Sequence, residues 1–253
     1  MPARCRNVIR AGLAAAALAL AAPLLCGGCA TRAEGPANLA LWRIVDRGCN
    51  GPGPHAAGAA LQCEERRGYA VLKDRCGATH FLLIPTTRRV GVEARALQSP
   101  GEPDYFAWAW RERTHTLQAA RTRSGIAVPD DDVGLAVNSR YARSQEQLHI
   151  HIDLLAPGVR ALLRALPAPL PAGATVEWHG HRYRVDRVAD LTQSPFRIAA
   201  RDWGARTRDE RARLTIAVVH DGDRGLFVLS DEANWWRLDR GHAEELLTAR
   251  RCR

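Results

Sequence analysis

The order of apolar and polar positions along the chain predicts a run of short elements. "LALWRIVDRGC" at 39–49 places Leu39, Leu41, Ile44 and Val45 at helical spacing. "GYAVLKD" and "THFLLIPTT" read as two strands around a turn at 75–78. Residues 102–123 set Phe106, Ala109, Trp110 and Leu117 along one side of a helix, with Pro103 near its start, where proline is tolerated. "VGLAVNSR" and "EQLHIHIDLL" follow as strands separated by a polar turn at 141–144, and "PGVRALLRALP" is a short helix closed by prolines. Beyond about 172 come strands at "ATVEWHG", "HRYRVDRV", "RLTIAVVHD" and "GLFVLSDE", then a terminal helix. Hairpin-length connections point to an α+β fold, an antiparallel sheet with helices on one face. The hairpin "LTIAVVHDGDRGLFVLSDE" echoes "GYAVLKDRCGATHFLLIPTT", which suggests a degenerate duplication in two halves, 39–171 and 172–253.

The strand at 148–154 carries the chemistry of most interest. Alternation puts His149 and His151 on one face and Leu148, Ile150 and Ile152 on the other. Two imidazoles side by side admit three readings: a solvated pair, metal ligands completed by residues elsewhere, or a nucleophile that attacks phosphorus. The neighbouring strand and turn supply Asn138, Ser139, Arg140, Ser144 and Gln145, neutral donors with one guanidinium, which suit charge developing on a phosphoryl oxygen. Asp153 is the one acid close by on the histidine face, a thin basis for a metal shell. His80 in "THFLLIP" reads as a strand-edge residue, Trp235 and Trp236 as buried under the last helix with a membrane interface as the alternative, and Thr86 and Glu93 as borders of a pocket.

Composition bounds the setting. The 253 residues carry a formal charge of +9, nearly all of the cationic side chains being arginine. The arginines form no helical stripe and no aromatic interleaving, which argues against a nucleic-acid partner and leaves anionic phosphates or an acidic membrane surface. At the N-terminus, Arg4, Arg6 and Arg10 precede "AGLAAAALALAAPLL" and the small-residue segment "CGGCA", an export signal in pattern. "LLCGGC" is similar to a bacterial lipobox, which makes Cys29 the candidate for lipidation, residues 1–29 a signal or lipoprotein segment, and 30–38 a linker. A plain cleaved signal and an uncleaved anchor are the alternatives. Either way the catalytic part is expected in the bacterial cell envelope, facing the periplasm. In that oxidising compartment Cys49, Cys63, Cys76 and Cys252 are disulfide candidates. Cys49 and Cys63 flank a Gly/Pro/Ala loop and look like a staple at its base, with Cys76 and Cys252 as the remaining pair; zinc is the rival, although no CxxC occurs.

"AVNSRYARSQEQLHIHIDLLAP" resembles the histidine-triad superfamily, in which an Asn-bearing strand and a Ser/Thr-Gln turn lead into alternating histidines. More closely, "GYAVLKD", "HFLLIPT", "EPDYFAWAW", "VPDDDVGLAVNSR", "LHIHI", "GHRY" and "QSPF" fall in the order of the bacterial CDP-diacylglycerol diphosphatase family, over about residues 40–252. The resemblance implies that His149 is the nucleophile, that His151 is the last triad histidine, and that Gln147 stands where the first would be. It also implies that Ser144 assists the phosphate or leaving group and that Asn138 lies near the nucleotide; Ser139, Arg140, Gln145 and Thr86, read from their own positions on the strand, turn and pocket border, are the further substrate-binding candidates. The implied reaction is hydrolysis of CDP-diacylglycerol to CMP and phosphatidate through a cytidylyl-histidine, without cofactor or metal, on a substrate held in a membrane. A nucleotidyl transferase or other nucleoside diphosphate hydrolase, a lipoprotein that binds lipid or nucleotide without turnover, and a zinc hydrolase built on the histidine pair are the alternatives.

Overall fold

A computed structural model describes residues 36–51 and 60–248. The predicted lipidation residue Cys29 and the rest of the signal segment lie outside these residues, as does Cys252. Nine strands, β1 (Leu61–Glu64), β2 (Tyr69–Lys73), β3 (Phe81–Pro85), β4 (Val133–Val137), β5 (Ile150–Leu154), β6 (Thr175–Trp178), β7 (His181–Val188), β8 (Leu214–His220) and β9 (Leu226–Glu232), form one sheet in the order β1-β2-β3-β5-β4-β8-β9-β7-β6. All neighbours pair antiparallel. Strands of the 39–171 and 172–253 segments therefore join edge to edge, β4 against β8, with Leu135 opposite Val218.

Alternation along the strands divides the core. Val71, Leu83, Leu135, Ile150, Ile152 and Ile216 face a large cluster beneath α2 (Tyr105–Arg111), α3 (Arg113–Ser124) and α5 (Pro195–Asp202), where Phe106 meets Phe196 with ring centroids 4.9 Å apart. On the opposite face Ala70, Leu82 and Ile84 pack under α1 (Ala40–Cys49), while Ala136, Val185, Ala217 and Leu229 pack with α4 (Val159–Arg164) and the 243–246 turn. Helices thus cover both faces, not one as the sequence predicts. A continuous apolar sheet of this width has two faces to remove from water, and one layer of short helices covers only one of them. A short helix, α6 (Arg208–Ala212), is closed at its start by a capping box between Thr207 and Glu210.

Three expected elements differ. The helix predicted over 102–123 is two, broken at Glu112, whose ψ of 0° departs from helical geometry and whose Oε1 accepts the Tyr69 hydroxyl at 2.6 Å. Asp104 starts it by accepting from the Phe106 and Ala107 amides. The turn predicted at 141–144 is part of a longer excursion over 138–149, so His149 precedes β5 instead of lying within it. The terminal helix is replaced by two tight turns, Trp235–Arg237 and Ala243–Leu246, because the backbone there bonds across to earlier strands: the Ser139 amide to Gly241 and the Ala156 amide to Leu246. Leu155 and Leu247 form an isolated bridge.

The Cys49–Cys63 disulfide is present and ties α1 to β1. Cys76 is also in a disulfide. No helix among the described residues is long and apolar enough to cross a membrane.

Candidate active site

Two strand ends and the final turn converge on the face that α1 and α4 share. His151 lies opposite Leu82 in the β3–β5 register, which brings His80, two residues before Leu82 and on the same face, beside it. The His80 Nε2 to His151 Nδ1 distance is 2.9 Å. His149 sits on the same side, its ring 4.9 Å from that of His151 in an edge-on arrangement. Both are nearly buried, as are the groups around them.

The hydrogen bonds assign the protons. His149 Nδ1 is 2.7 Å from the Gln147 carbonyl, an acceptor only, so Nδ1 carries the hydrogen and Nε2 carries the lone pair. Burial, the largest influence, holds the His149 pKa below 6.5, against the opposing pull of the Gln147 carbonyl and the Glu244 charge. The ring is therefore neutral at pH 7. His80 Nδ1 faces the Cys76 carbonyl at 3.2 Å and Asp74 Oδ2 at 3.4 Å, both acceptors, so His80 accepts at Nε2 and His151 donates from Nδ1. That leaves the lone pair of His151 Nε2 3.6 Å from Glu244 Oε2, two acceptors face to face. Burial also lowers His151, to about 3. Burial would raise the Glu244 carboxyl, but His151, His242 and the Asn138 amide together hold it well below the usual carboxylate range.

Asn138 secures Glu244 from both ends: its Nδ2 donates to Glu244 Oε2 at 2.9 Å and its Oδ1 accepts the Glu244 amide at 3.1 Å. Asn138, expected near the imidazoles, lies beside them through Glu244; the sequence reading did not anticipate Glu244 or His242, which stand about a hundred residues away. His80, read as an edge residue, is bonded into the centre of the site. "GHAEE" was the available signal, a histidine and two acids in a row, obscured by its apparent place in a terminal helix.

Gln147 is fully buried and spends its amide on the backbone of 85–89: Nε2 donates to the Pro85 and Thr87 carbonyls, and Oε1 accepts from the Arg89 amide and the Arg88 guanidinium. Its side chain thus anchors the segment, and its carbonyl orients His149. Gln145 Oε1 accepts the Leu41 amide at 3.0 Å and so docks α1. The Ser139 hydroxyl donates to the Arg240 carbonyl and accepts from the Tyr141 amide. Arg140 and Ser144 are exposed on the 138–149 excursion, and Thr86 stands at the end of β3 with its carbonyl accepting from Asn50. The expectation that a tight hairpin gathers Ser139, Arg140, Ser144 and Gln145 around the imidazoles is corrected by the length of that excursion: Ser139 and Gln145 bond to backbone elsewhere, and Arg140 and Ser144 are exposed. The buried cation here is Arg143, whose two terminal nitrogens each lie 2.7 Å from a Glu93 oxygen, with Glu146 at 2.9 Å. Gly91 permits this approach, since a Cβ there would meet Arg143 Nη1 at 2.2 Å. Asp153, expected on the histidine face, is buried and accepts from Thr79 at 2.5 Å and Thr248 at 3.0 Å.

Two groups among the described residues bring metal-binding atoms together: His80, His151 and Glu244, and separately His181, Asp231 and Asp239. In the first, the hydrogen bond between the imidazoles occupies the lone pair of His80 Nε2.

The sequence profile of the family described as CDP-diacylglycerol pyrophosphatase matches residues 37–253. A curated relative, the CDP-diacylglycerol pyrophosphatase of Yersinia pestis, is 37% identical over 223 residues, spanning 82% of this chain and 81% of that protein.

Proposed function

The chain belongs to the CDP-diacylglycerol pyrophosphatase family, and we propose that it hydrolyses CDP-diacylglycerol to CMP and phosphatidate by two displacements at His149. The observation that carries this reading is the His149 tautomer, a neutral buried imidazole whose Nδ1–H is fixed on the Gln147 carbonyl and whose Nε2 lone pair is left for attack.

In the first displacement Nε2 bonds to the phosphorus that bears cytidine, and the bond from that phosphorus to the bridging oxygen breaks. Phosphatidate leaves with the electron pair. The ring, now bonded at Nε2 and protonated at Nδ1, is cationic, and the Gln147 carbonyl with the Glu244 carboxylate offsets that charge without rearranging. In the second, water attacks the same phosphorus, the N–P bond breaks, and CMP departs. The water proton goes to the His151–Glu244 pair, where two acceptors face one another 3.6 Å apart. His80 and Asn138 are positioning residues for that pair, and Gln147 for the nucleophile. Ser144 and Arg140, exposed on the same excursion, are the proposed contacts to the diphosphate, with Ser139, Gln145 and Thr86 shaping the wall they stand on.

The substrate's diacyl tail lies in a bilayer, and one surface feature supports docking there. Trp236 is 98% exposed and Leu238 89%, on a loop that also carries Trp235, Arg237 and Arg240 and leads within a few residues to Glu244. Aromatic rings flanked by cations suit the interface of an anionic membrane. This loop and the N-terminal segment with Cys29 are the proposed attachments, with the site in the periplasmic part of the envelope, where the Cys49–Cys63 bond is stable.

The test is product release from CDP-diacylglycerol in mixed micelles by the wild type and His149→Ala, with acid quenching to trap cytidylyl-histidine. Release of CMP and phosphatidate by the wild type, lost by at least about a thousandfold in the variant, is expected. Equal release by both, or a wild type that binds substrate without turnover, would overturn the proposal.

A further inference from the structure

A second cluster of ionisable side chains lies outside the hydrolytic site, on β7, β9 and the loop that follows β9. His181 opens β7 at its pairing with β6, Asp231 lies near the end of β9, and Asp239 lies in the loop after it; all three are buried. His181 Nδ1 is 2.9 Å from Asp239 Oδ1 and 3.5 Å from Asp231 Oδ2, yet it hydrogen-bonds to neither. The carboxylate oxygens therefore lie off the axis along which a ring nitrogen donates.

Three atoms able to act as ligands, set this close together, also suit a common ion. Bonds of about 2.0–2.2 Å to one cation at tetrahedral or octahedral angles separate neighbouring ligand atoms by about 3.0–3.5 Å, with each lone pair aimed at the ion and away from the other ligands. One donor atom from each of the three residues falls within 4.8 Å of the other two.

Two further observations point the same way. Tyr183, two residues along β7 and fully buried with its ring 5.8 Å from His181, has a hydroxyl with no hydrogen-bond partner, and Asp231 Oδ2 likewise has none. On the other side of the imidazole, Glu245 Oε2 faces Nε2 at 3.5 Å, the position from which a carboxylate orients a ligating histidine. Two buried carboxylates beside one imidazole leave net negative charge in a region of low dielectric, which is costly without a compensating cation.

We propose that His181, Asp231 and Asp239 bind one divalent transition-metal ion, of the Zn²⁺ or Mn²⁺ kind. One imidazole among oxygen donors favours these over Ca²⁺. The ion fastens the loop after β9 to the sheet. Asp239 Oδ1 already accepts the Gly241 amide at 2.6 Å, and the Gly241 carbonyl accepts the Ser139 amide, so the ion holds the segment that presents Glu244 to His151. It takes no part in the displacement at phosphorus.

The test uses the full chain, stripped with chelator, dialysed and titrated calorimetrically with ZnCl₂ and MnCl₂, with melting followed in parallel. One ion bound per chain, a higher melting temperature, and binding weakened at least about tenfold by His181→Gln and Asp239→Asn but retained in Glu244→Gln are expected. No binding by the wild type, or binding lost in Glu244→Gln and kept in Asp239→Asn, would overturn the site in favour of a proton-sharing carboxylate pair or an ion at His151. Should the substituted chains not fold, anomalous scattering from wild-type crystals grown with MnCl₂ decides. A peak among His181, Asp231 and Asp239 supports the proposal, and a peak only beside His80 and His151, or none, refutes it.

Discussion

His80 Nε2 stands 2.9 Å from His151 Nδ1, and this one hydrogen bond fixes the protons along a line from Asp74 to Glu244. Because His80 Nδ1 has only acceptors to face, each imidazole in the line has one allowed tautomer. The lone pair of His151 Nε2 is thereby presented to the carboxylate side of the site. Replacing His80 by leucine removes the acceptor and frees the His151 ring to rotate. A fall in kcat of about 100-fold, with KM changed far less, is expected in steady-state hydrolysis of CDP-diacylglycerol. An unchanged kcat would show that His151 does not depend on its neighbour.

The acid limb of the rate profile follows from burial. A histidine whose pKa is lowered in the folded protein stays neutral as pH falls through 6.5 and protonates only below that value. Activity should therefore persist below pH 6.5 and fall at a more acid point. Glu244 acts to raise His149, so Glu244→Gln should move the limb still lower while reducing the rate. The same lowering sets a stability window. Between pH 6.5 and about 3 the unfolded chain binds a proton at His151 that the folded chain does not, so stability is lost as pH falls, by up to about 1.4 kcal/mol per unit. Urea melts of the wild type and His151→Gln across this range measure it, and parallel slopes would contradict the assignment.

Arg143 and Glu93 are both buried and paired through two contacts. Removing the cation leaves uncompensated charge, so Arg143→Met should destabilise by roughly 3–5 kcal/mol, and Arg143→Met with Glu93→Leu and Glu146→Gln by much less. Equilibrium unfolding of the two variants makes the comparison. Equal losses would mean that the pair contributes only through volume.

The exposed loop at 235–238 gives a prediction at the membrane. Trp235→Ala with Trp236→Ala should weaken sedimentation with anionic phosphatidylglycerol vesicles at least about tenfold and raise the apparent KM on vesicle-borne substrate, leaving kcat in detergent micelles unchanged. Trp236 is almost wholly exposed and Trp235 meets the fold through an edge-on contact with Tyr141, ring centroids 5.0 Å apart, so melting temperature should fall only slightly. Undiminished vesicle binding would remove the loop from the docking surface.

The alternation around His149 and His151 was legible because it is local: every second side chain turns to one face whatever the rest of the chain does, and Ile150 and Ile152 are indeed in the core. The Cys49–Cys63 staple was legible for the same reason, the pair bracketing one loop. His80 and Glu244 were not, because their positions are set by strand register and by a backbone bridge at Leu155–Leu247, neither of which leaves a trace in periodicity. Gln147 shows the opposite limit. Its place in the motif was apparent, but four hydrogen bonds to the 85–89 segment make its side chain a strut, a role that no spacing announces. Trp235 and Trp236, expected to be buried under a terminal helix with a membrane interface as the alternative, are exposed, and that helix does not form because the segment spends its backbone groups on earlier parts of the chain.

The strand order sets a condition on how this protein can come into being. β8 lies in the middle of the sheet beside β4, and Glu244 comes from the last stretch of chain described. A nascent polypeptide that has emerged only as far as His151 holds the proposed nucleophile, His149, beside a strand edge still without its partner, and lacks the Glu244 carboxylate. The chemistry proposed at His149 is therefore withheld until the chain has passed Glu244. A chain cut short before β8 yields neither a smaller enzyme nor a reactive fragment.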